Sequence, residues 1–336
     1  MQSVDPVLSS SRDSKRSELV ILTPVYNDWE VLRLLLAEID AALVAASEHA
    51  VVVVVNDGSQ QPADLAGLSF VGIRSLSVLH LRRNLGHQRA IAVGLAYVEA
   101  NVPCAAVVVM DADGEDRPQD VVRLLGAARQ QSSDKIVFAL RERRSEGALF
   151  RVFYAIYRVI FQGLTGQTIR VGNFSLIPYS LLRRLVAVSE IWNHYASAVQ
   201  RARLPCLYVP TDRGKRLAGR STMNFVSLVT HGMSAISVHA ETIGSRMLVL
   251  AVLFGGAILL AMGGVVAVRL LTDLAIPGWA TYAFGLLFLM LMQTTFIALF
   301  FAGTVLHGRN AYTFLPSRDH VYFVDALESV DVKPRS

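Results

Sequence analysis

Several things are scarce in this 336-residue sequence, and each scarcity excludes something. It has only 2 cysteines, which rules out a disulfide framework and a cysteine-rich zinc site. Cys104 and Cys206 both lie in apolar, strand-like text and read as inert buried thiols. Charged residues make up only 18% of the chain and hydrophobic ones 53%, against about 25% and about 45–50% in soluble domains. With a mean hydropathy of +0.42, this excludes a disordered, collagen-like or coiled-coil chain and points to membrane segments. No internal repeat or low-complexity linker breaks the sequence. The first residues, Met1 to Ser17, are polar and mixed in charge, with no apolar core. They read as a disordered tail without a signal peptide, so the segment that follows is expected in the cytoplasm. The net charge of +5 does not point to nucleic acid: aromatic residues do not alternate with the basic ones as a stacking platform would require.

The sequence divides in two. From residue 18 to about 220, short apolar runs alternate with amphipathic stretches. Strands are expected at Leu19–Thr23, Val51–Val55, Leu76–Leu81, Ala105–Met110 and Ile136–Leu140. These runs of Val, Ile and Leu suit strands covered on both faces of a parallel sheet. Trp29, Leu32, Leu35, Leu36 and Ile39 fall at helical spacing after a cap at Asn27 or Asp28, and a second helix is expected from His87 to Ala100. The alternation reads as an α/β domain. Beyond it, residues 247–268 and 281–306 carry no charge and are long enough for two transmembrane helices. The short connection puts both ends of the pair on one side, where Arg246, Arg309 and Arg318 lie. The positive-inside rule makes that side cytoplasmic, with Arg269 dissenting. Residues 221–245 read as an interfacial amphipathic helix, in which His231 and His239 form an interfacial or solvated pair rather than a metal site. Residues 308–336 read as a cytoplasmic C-terminal tail.

Three segments at strand ends carry chemistry. Thr23-Pro24-Val25-Tyr26-Asn27-Asp28 follows the first strand, and Asn56-Asp57-Gly58-Ser59 the second. Ligands of open α/β sheets sit outside the carboxyl ends of strands. There an Asp can accept a hydrogen bond from a base ring N–H, and Gly58 would let the backbone approach a ligand closely. Taken alone, Asn-Asp-Gly-Ser reads first as an ordinary turn. The third segment, Asp111-Ala112-Asp113-Gly114-Glu115-Asp116, follows an apolar strand. Four acidic side chains within six residues repel one another unless a cation is near. Hard oxygen donors clustered this way suit Mg²⁺ or Mn²⁺, which would hold a diphosphate.

Together these segments resemble the nucleotide-sugar half of family 2 glycosyltransferases, which have the Rossmann-like GT-A fold. Leu81-Arg82-Arg83-Asn84-Leu85-Gly86-His87 is similar to the Arg-Asn-x-Gly segment of the polyisoprenyl-phosphate branch, the relatives of dolichyl-phosphate mannose synthase. Gly172-Asn173-Phe174-Ser175-Leu176 falls where that branch has Gly-x-Phe-Arg-Leu. Arg216-Leu217-Ala218-Gly219-Arg220-Ser221 resembles its Arg-x-x-Gly-x-Ser segment. The resemblance implies that Pro24, Tyr26, Asn27, Asp57, Gly58, Arg83, Asn84 and Gly86 border the nucleotide. It implies that Asp111 and Asp113, with Glu115 as a further ligand, hold the metal. Arg141, with Arg143 and Arg144, and Arg216 and Ser221 would grip phosphates, because a guanidinium holds several donors in one plane. Two positions depart from the branch: Asn173 stands where Asp is frequent, and Ser175 where it has Arg. The Gln-x-x-Arg-Trp motif of processive synthases is absent, which argues for transfer of a single sugar.

The expectation is an inverting transfer from a UDP- or GDP-sugar to undecaprenyl phosphate or a similar polyprenyl phosphate. Mg²⁺ or Mn²⁺ would assist it at the cytoplasmic face of the inner membrane, and the product would feed envelope glycosylation. The partners implied are the nucleotide sugar, the lipid phosphate, a downstream membrane glycosyltransferase or flippase, and a second copy of the chain through the membrane helices; nucleic acid is not among them. Two alternatives stay open: a sugar or lipid hydroxyl as acceptor, and a non-catalytic nucleotide-sugar-binding membrane protein.

Overall fold

The computed structural model describes residues 18–141, 159, 161–166, 171–214, 216–218, 225–272, 276, 278–310 and 314–334. The tail expected over residues 1–17 lies outside them. Two units emerge: residues 1–154, 169–238 and 313–336 form the first, and residues 155–168 and 239–312 the second.

The first unit is built on β1 (Leu19–Val25), α1 (Trp29–Ala45), β2 (Ala50–Asn56), β3 (Ser69–Phe70), β4 (Ile73–Leu81), α2 (His87–Asn101), β5 (Ala106–Val109), α3 (Pro118–Arg129) and β6 (Ile136–Arg141). β7 (Ser175–Pro178), α4 (Tyr179–Leu185), α5 (Tyr195–Arg201) and β8 (Cys206–Thr211) follow, then α6 (Phe225–Ser237). Eight strands form one sheet in the order β8-β6-β7-β5-β1-β2-β4-β9, where β9 is Val324–Val330. β5, β1, β2 and β4 are parallel neighbours, so their carboxyl ends share one sheet edge. β6 also runs parallel to β5, since both are antiparallel to β7, and β8 is parallel to β6. The sheet is therefore mixed, not purely parallel.

Both faces of the sheet are covered, which is why its strands read as continuous apolar runs. All seven residues of β1 are buried. Val20 and Leu22 join Val53, Val55 and α2 in one core, whereas Leu19 and Ile21 join Val52, Val54 and α1 in the other. Gly94 of α2 sits so close to the sheet that a Cβ there would lie 2.6 Å from Val55 Cγ2. Buried Asp40 accepts the backbone N–H groups of Val71, Gly72 and Ile73 and so fixes the entry into β4. Cys104 is buried, which pushes its thiol up to about 12, and burial lifts Cys206 on β8 to about 11. Both are poor nucleophiles, as the sequence led us to expect.

The C-terminal segment corrects an expectation. Part of the tail expected at 308–336 is β9, paired antiparallel to β4 along the sheet edge. Its sequence, Val-Asp-Ala-Leu-Glu-Ser-Val, has no apolar run because an edge strand is mostly exposed, and its backbone pairing does not depend on side chains. Phe314 and Phe323 pack on Trp192, with centroids at 4.0 and 5.0 Å, and the Arg89 guanidinium lies 5.2 Å from the same ring. β10 (Lys333–Pro334) pairs with β3.

In the second unit, α7 (Ala240–Leu271) and α8 (Trp279–Asn310) are long and apolar enough to cross a membrane. They pack antiparallel, Gly244 facing Val305 and Gly255 facing Leu291. The interfacial helix expected over 221–245 ends sooner, because residues 240–245 already belong to α7. His239 is no solvated residue: it is buried, with Phe161 edge-on to its ring at 5.8 Å. The His231 side chain lies outside the described residues.

Candidate active site

The strand directions bring the described parts of the motifs to one sheet edge: the loops after β1, β2, β4, β5 and β8, the end of β6, and the residues leading into β7. Pro24 is buried within β1, and the Tyr26 ring is 45% exposed beside it. Asn27 takes a left-handed conformation at φ 58°. Its N–H donates to Ser59 Oγ at 2.9 Å, and its Oδ1 accepts from Gln60 N at 2.9 Å, which ties the first loop to the second. Asp28 stands at the N-terminus of α1, but its side chain makes no cap hydrogen bond there. It pairs with Arg216 at 3.0 Å instead.

The second loop is more self-contained than its sequence suggests. Both Asp57 carboxylate oxygens accept backbone N–H groups, from Leu85 at 2.7 Å and Gly86 at 2.9 Å. Burial raises this carboxyl, and the two N–H groups only partly offset the rise. Asp57 thus anchors the loop that carries Arg83, Asn84 and Gly86. Gly58, at φ 68°, serves a close approach between two pieces of backbone: a Cβ there would meet Asn84 N at 2.5 Å. Gly86, at φ 89°, turns the chain into α2. Arg83 and Asn84 stay exposed at the loop tip.

The acidic loop divides its four carboxylates among different partners. Asp116 is buried and accepts Asp111 N at 3.0 Å, which closes the loop on itself. Asp111 lies 3.1 Å from His87 Nε2. Asp113 accepts Glu115 N at 3.0 Å and faces Arg216 at 3.4 Å. Glu115 is gripped by Arg213 through Nε at 2.8 Å and through Nη2. Burial raises the Asp113 carboxyl; Asp111 and Glu115 add to the rise, while the Glu115 N–H and Arg216 oppose it. Burial lowers the His87 ring, but Asp111, with Asp113 and Asp116 behind it, more than reverses this and raises it.

The set Asp111, Asp113 and Glu115 is therefore not preassembled as three metal ligands. Among the described residues no three His, Cys, Asp or Glu side chains converge on one point. The reason is electrostatic: like charges this close each take the nearest cation the chain offers. The donor chemistry still fits a hard divalent ion, because Asp111 and Asp113 supply oxygens only and their crowding favours added positive charge.

The segment after β8 closes over this loop. Gly214 N donates to Glu115 O at 2.8 Å and Leu217 N to Asp113 O at 3.1 Å. Leu217 seats on Gly114, where a Cβ would lie 2.4 Å from its Cγ. The sequence reading passed over Arg213, and it quoted His87 and Asp28 within their segments without assigning them a part in the site. Arg213 stands three residues before the expected Arg216, and His87 directly after Gly86, so proximity to known motifs was their one signal.

The departures at Asn173 and Ser175 acquire a physical account. Ser175 is fully buried and hydrogen-bonds Tyr195 Oη at 2.6 Å, so it holds no phosphate. Asn173 lies between Gln88 Nε2 at 3.1 Å and His87 Nε2 at 2.9 Å, next to Asp111. Arg141 closes β6 at the same sheet edge. Its side chain, and all of Arg143, Arg144 and Ser221, lie outside the described residues.

Comparison with known proteins gives the family of the chain. The pattern described as Glycosyl transferase family 2 matches residues 20–192, more than half of the chain. The chain is 26% identical over 274 residues to the uncharacterized glycosyltransferase YkcC of Bacillus subtilis, covering 80% of this chain and 82% of that one. It is 25% identical over 224 residues to the uncharacterized glycosyltransferase sll0501 of Synechocystis sp., covering 65% and 68%. Among solved structures, glucosyl-3-phosphoglycerate synthase from Mycobacterium tuberculosis, in complex with Mn²⁺, UDP and phosphoglyceric acid, has a TM-score of 0.49 at 14% identity, over 73% of this chain and 84% of that one. Mannosyl-3-phosphoglycerate synthase from Rubrobacter xylanophilus has a TM-score of 0.48 at 15% identity, over 72% and 78%. Since the family model spans more than half of the chain, the chain belongs to glycosyl transferase family 2: its first unit is a GT-A domain that transfers a sugar from a nucleotide sugar.

Proposed function

We propose that this glycosyltransferase moves one sugar from a UDP- or GDP-sugar to a polyprenyl phosphate such as undecaprenyl phosphate, at the cytoplasmic face of the inner membrane. One observation carries the reading: a single chain holds both an acidic donor loop ringed by Arg213, Arg216 and His87 and two helices long enough to cross a membrane. An acceptor whose phosphate is anchored in a bilayer suits such a chain.

In this reading an acceptor phosphate oxygen attacks the anomeric carbon, opposite the bond to the diphosphate. That bond breaks as the new one forms, the configuration inverts, and the nucleoside diphosphate leaves. A lipid phosphate is already ionised near neutral pH, so no strong general base is required. Asp111 and Asp113, with Glu115 after release from Arg213, would hold Mg²⁺ or Mn²⁺. When bound, such an ion supplies positive charge against the leaving diphosphate. Arg216, now bridging Asp28 and Asp113, carries donors that a diphosphate can take over. Asp57 keeps the Arg83–Gly86 loop at the donor, and Tyr26 offers an exposed ring face to a base.

The test is transfer by the detergent-solubilised full chain, given undecaprenyl phosphate, Mg²⁺ or Mn²⁺ and a panel of UDP- and GDP-sugars. Labelled sugar is expected in the organic phase from one donor, and its transfer should stop on chelation. Release of nucleotide without a lipid product would replace the acceptor with a hydroxyl. Donor binding with no turnover on any acceptor would overturn catalysis altogether.

A further inference from the structure

The donor-side loops rest on the C-terminal strand, which the sequence gives no reason to connect with them. His80, on β4, lies in register with Asn56 on β2. Across the other edge of β4, β9 pairs Ala326 with His80 and Glu328 with Val78, which makes Glu328 a diagonal neighbour of His80. The imidazole bridges the two strands: Nδ1 lies 3.0 Å from Asn56 Nδ2, and Nε2 lies 3.0 Å from Glu328 Oε2.

The protons in this bridge follow from counting donors. Asn56 Oδ1 accepts the Ser59 N–H at 2.9 Å, so the amide nitrogen faces His80 and donates. Nδ1 must then accept, the ring proton sits on Nε2, and Nε2–H donates to Glu328. Glu328 thereby selects the tautomer that can hold Asn56. From Asn56 the path continues through Ser59, whose Oγ accepts Asn27 N, into the loop after β1. A second tie runs beside it, from Arg82 N to Phe323 O at 2.9 Å and from Arg82 Nε to Val324 O at 3.0 Å. Arg82 leads directly into the Arg83–Gly86 loop.

We infer that Glu328 and His80 are positioning residues for nucleotide-sugar binding, acting through Asn56 to set the 56–59 turn and the loop it bonds. Neither touches the reacting atoms. The inference rests on reading these loops as the donor site. It places a function on the strand that returns to this domain after the second apolar helix, so the catalytic domain is completed by residues on both sides of that helix pair.

The experiment uses the full chain in detergent, with UDP and GDP as calorimetric probes, donor KM, melting temperature and amide exchange of the 56–61 segment. Glu328→Ala should weaken the nucleotide that wild type binds by about 3- to 10-fold, the size of one ordinary net hydrogen bond with an exposed partner. Donor KM should rise more than kcat falls, and the Ser59 amide should exchange faster. Glu328→Gln should restore most of the binding, because its Oε1 still accepts from Nε2–H. Adding His80→Ala to Glu328→Ala should cost little more, since both remove one path. Asp325→Asn removes a carboxylate from the same strand as a charge control and should leave binding alone. Wild-type affinity in Glu328→Ala and His80→Ala, or an equal loss in Asp325→Asn, would overturn the inference. So would melting shifts with no change at the 56–61 segment, which would make the bridge a fastening of the sheet edge alone. If wild type binds neither UDP nor GDP, the donor reading itself falls, and this inference with it.

Discussion

β1 and α7 are both mostly apolar, yet they differ in burial. Every residue of β1 is buried, whereas α7 leaves Leu260 80% and Leu271 81% exposed. Length separates them. A seven-residue strand cannot satisfy its backbone alone, so it pairs on both sides and is covered by helices above and below. A 32-residue helix satisfies its own backbone and extends about 48 Å, more than the roughly 30 Å of a bilayer core. The first kind of apolar run is buried in protein, and the second is long and apolar enough to cross a membrane. In α7 the charged residues Glu241, Arg246 and Arg269 stand near the ends.

Four tests would break or sharpen that contrast, the largest first. Asp113→Asn removes charge from the densest acidic loop and should lower transfer by about 10²–10³-fold while leaving the protein folded, as read by turnover and melting temperature. Next comes a pair of exposed leucines. Leu260→Arg should raise the apparent cost of membrane insertion by about 3 kcal/mol, read as the fraction retained in membranes. Leu34→Arg, at a residue 45% exposed on α1, should change stability by less than about 0.5 kcal/mol. If both behave alike, α7 does not face lipid. A pair of glycines probes packing. Gly94→Ala should cost about 1–3 kcal/mol in thermal unfolding, because its Cβ meets Val55 and Leu22. Gly263→Ala, with open space around it, should be neutral or stabilise α7 by up to about 1 kcal/mol. Smallest of all, Arg74→Ala breaks an exposed pair with Glu18 at 3.0 Å and should cost less than about 1 kcal/mol, an effect that salt masks.

How much was legible follows the same physics. The strands expected at Leu19, Val51, Leu76, Ala105 and Ile136 and the helices at Trp29 and His87 were readable because double-sided burial writes a dense apolar run. β9 was not, because an edge strand is held by backbone bonds to which its side chains contribute little. The acidic loop, the Asn-Asp-Gly-Ser turn and Arg216 were legible as unusual residue clusters. What each carboxylate does was not: Asp57 holds Leu85 and Gly86, Asp28 meets Arg216, and Glu115 turns to Arg213, all across separations that spacing cannot report.

By itself, then, the sequence determined the α/β domain with its apolar core, the two long apolar helices and the chemical character of the donor loop, since these depend on local pattern and composition. The tertiary structure alone decided which acid pairs with which base, that Gly58 serves one loop against another, and that the last strand returns to pair with β4 and reaches the Asn56 turn through His80. Such pairings depend on strand order and direction, which bring residues 248 positions apart, His80 and Glu328, within 3.0 Å of each other.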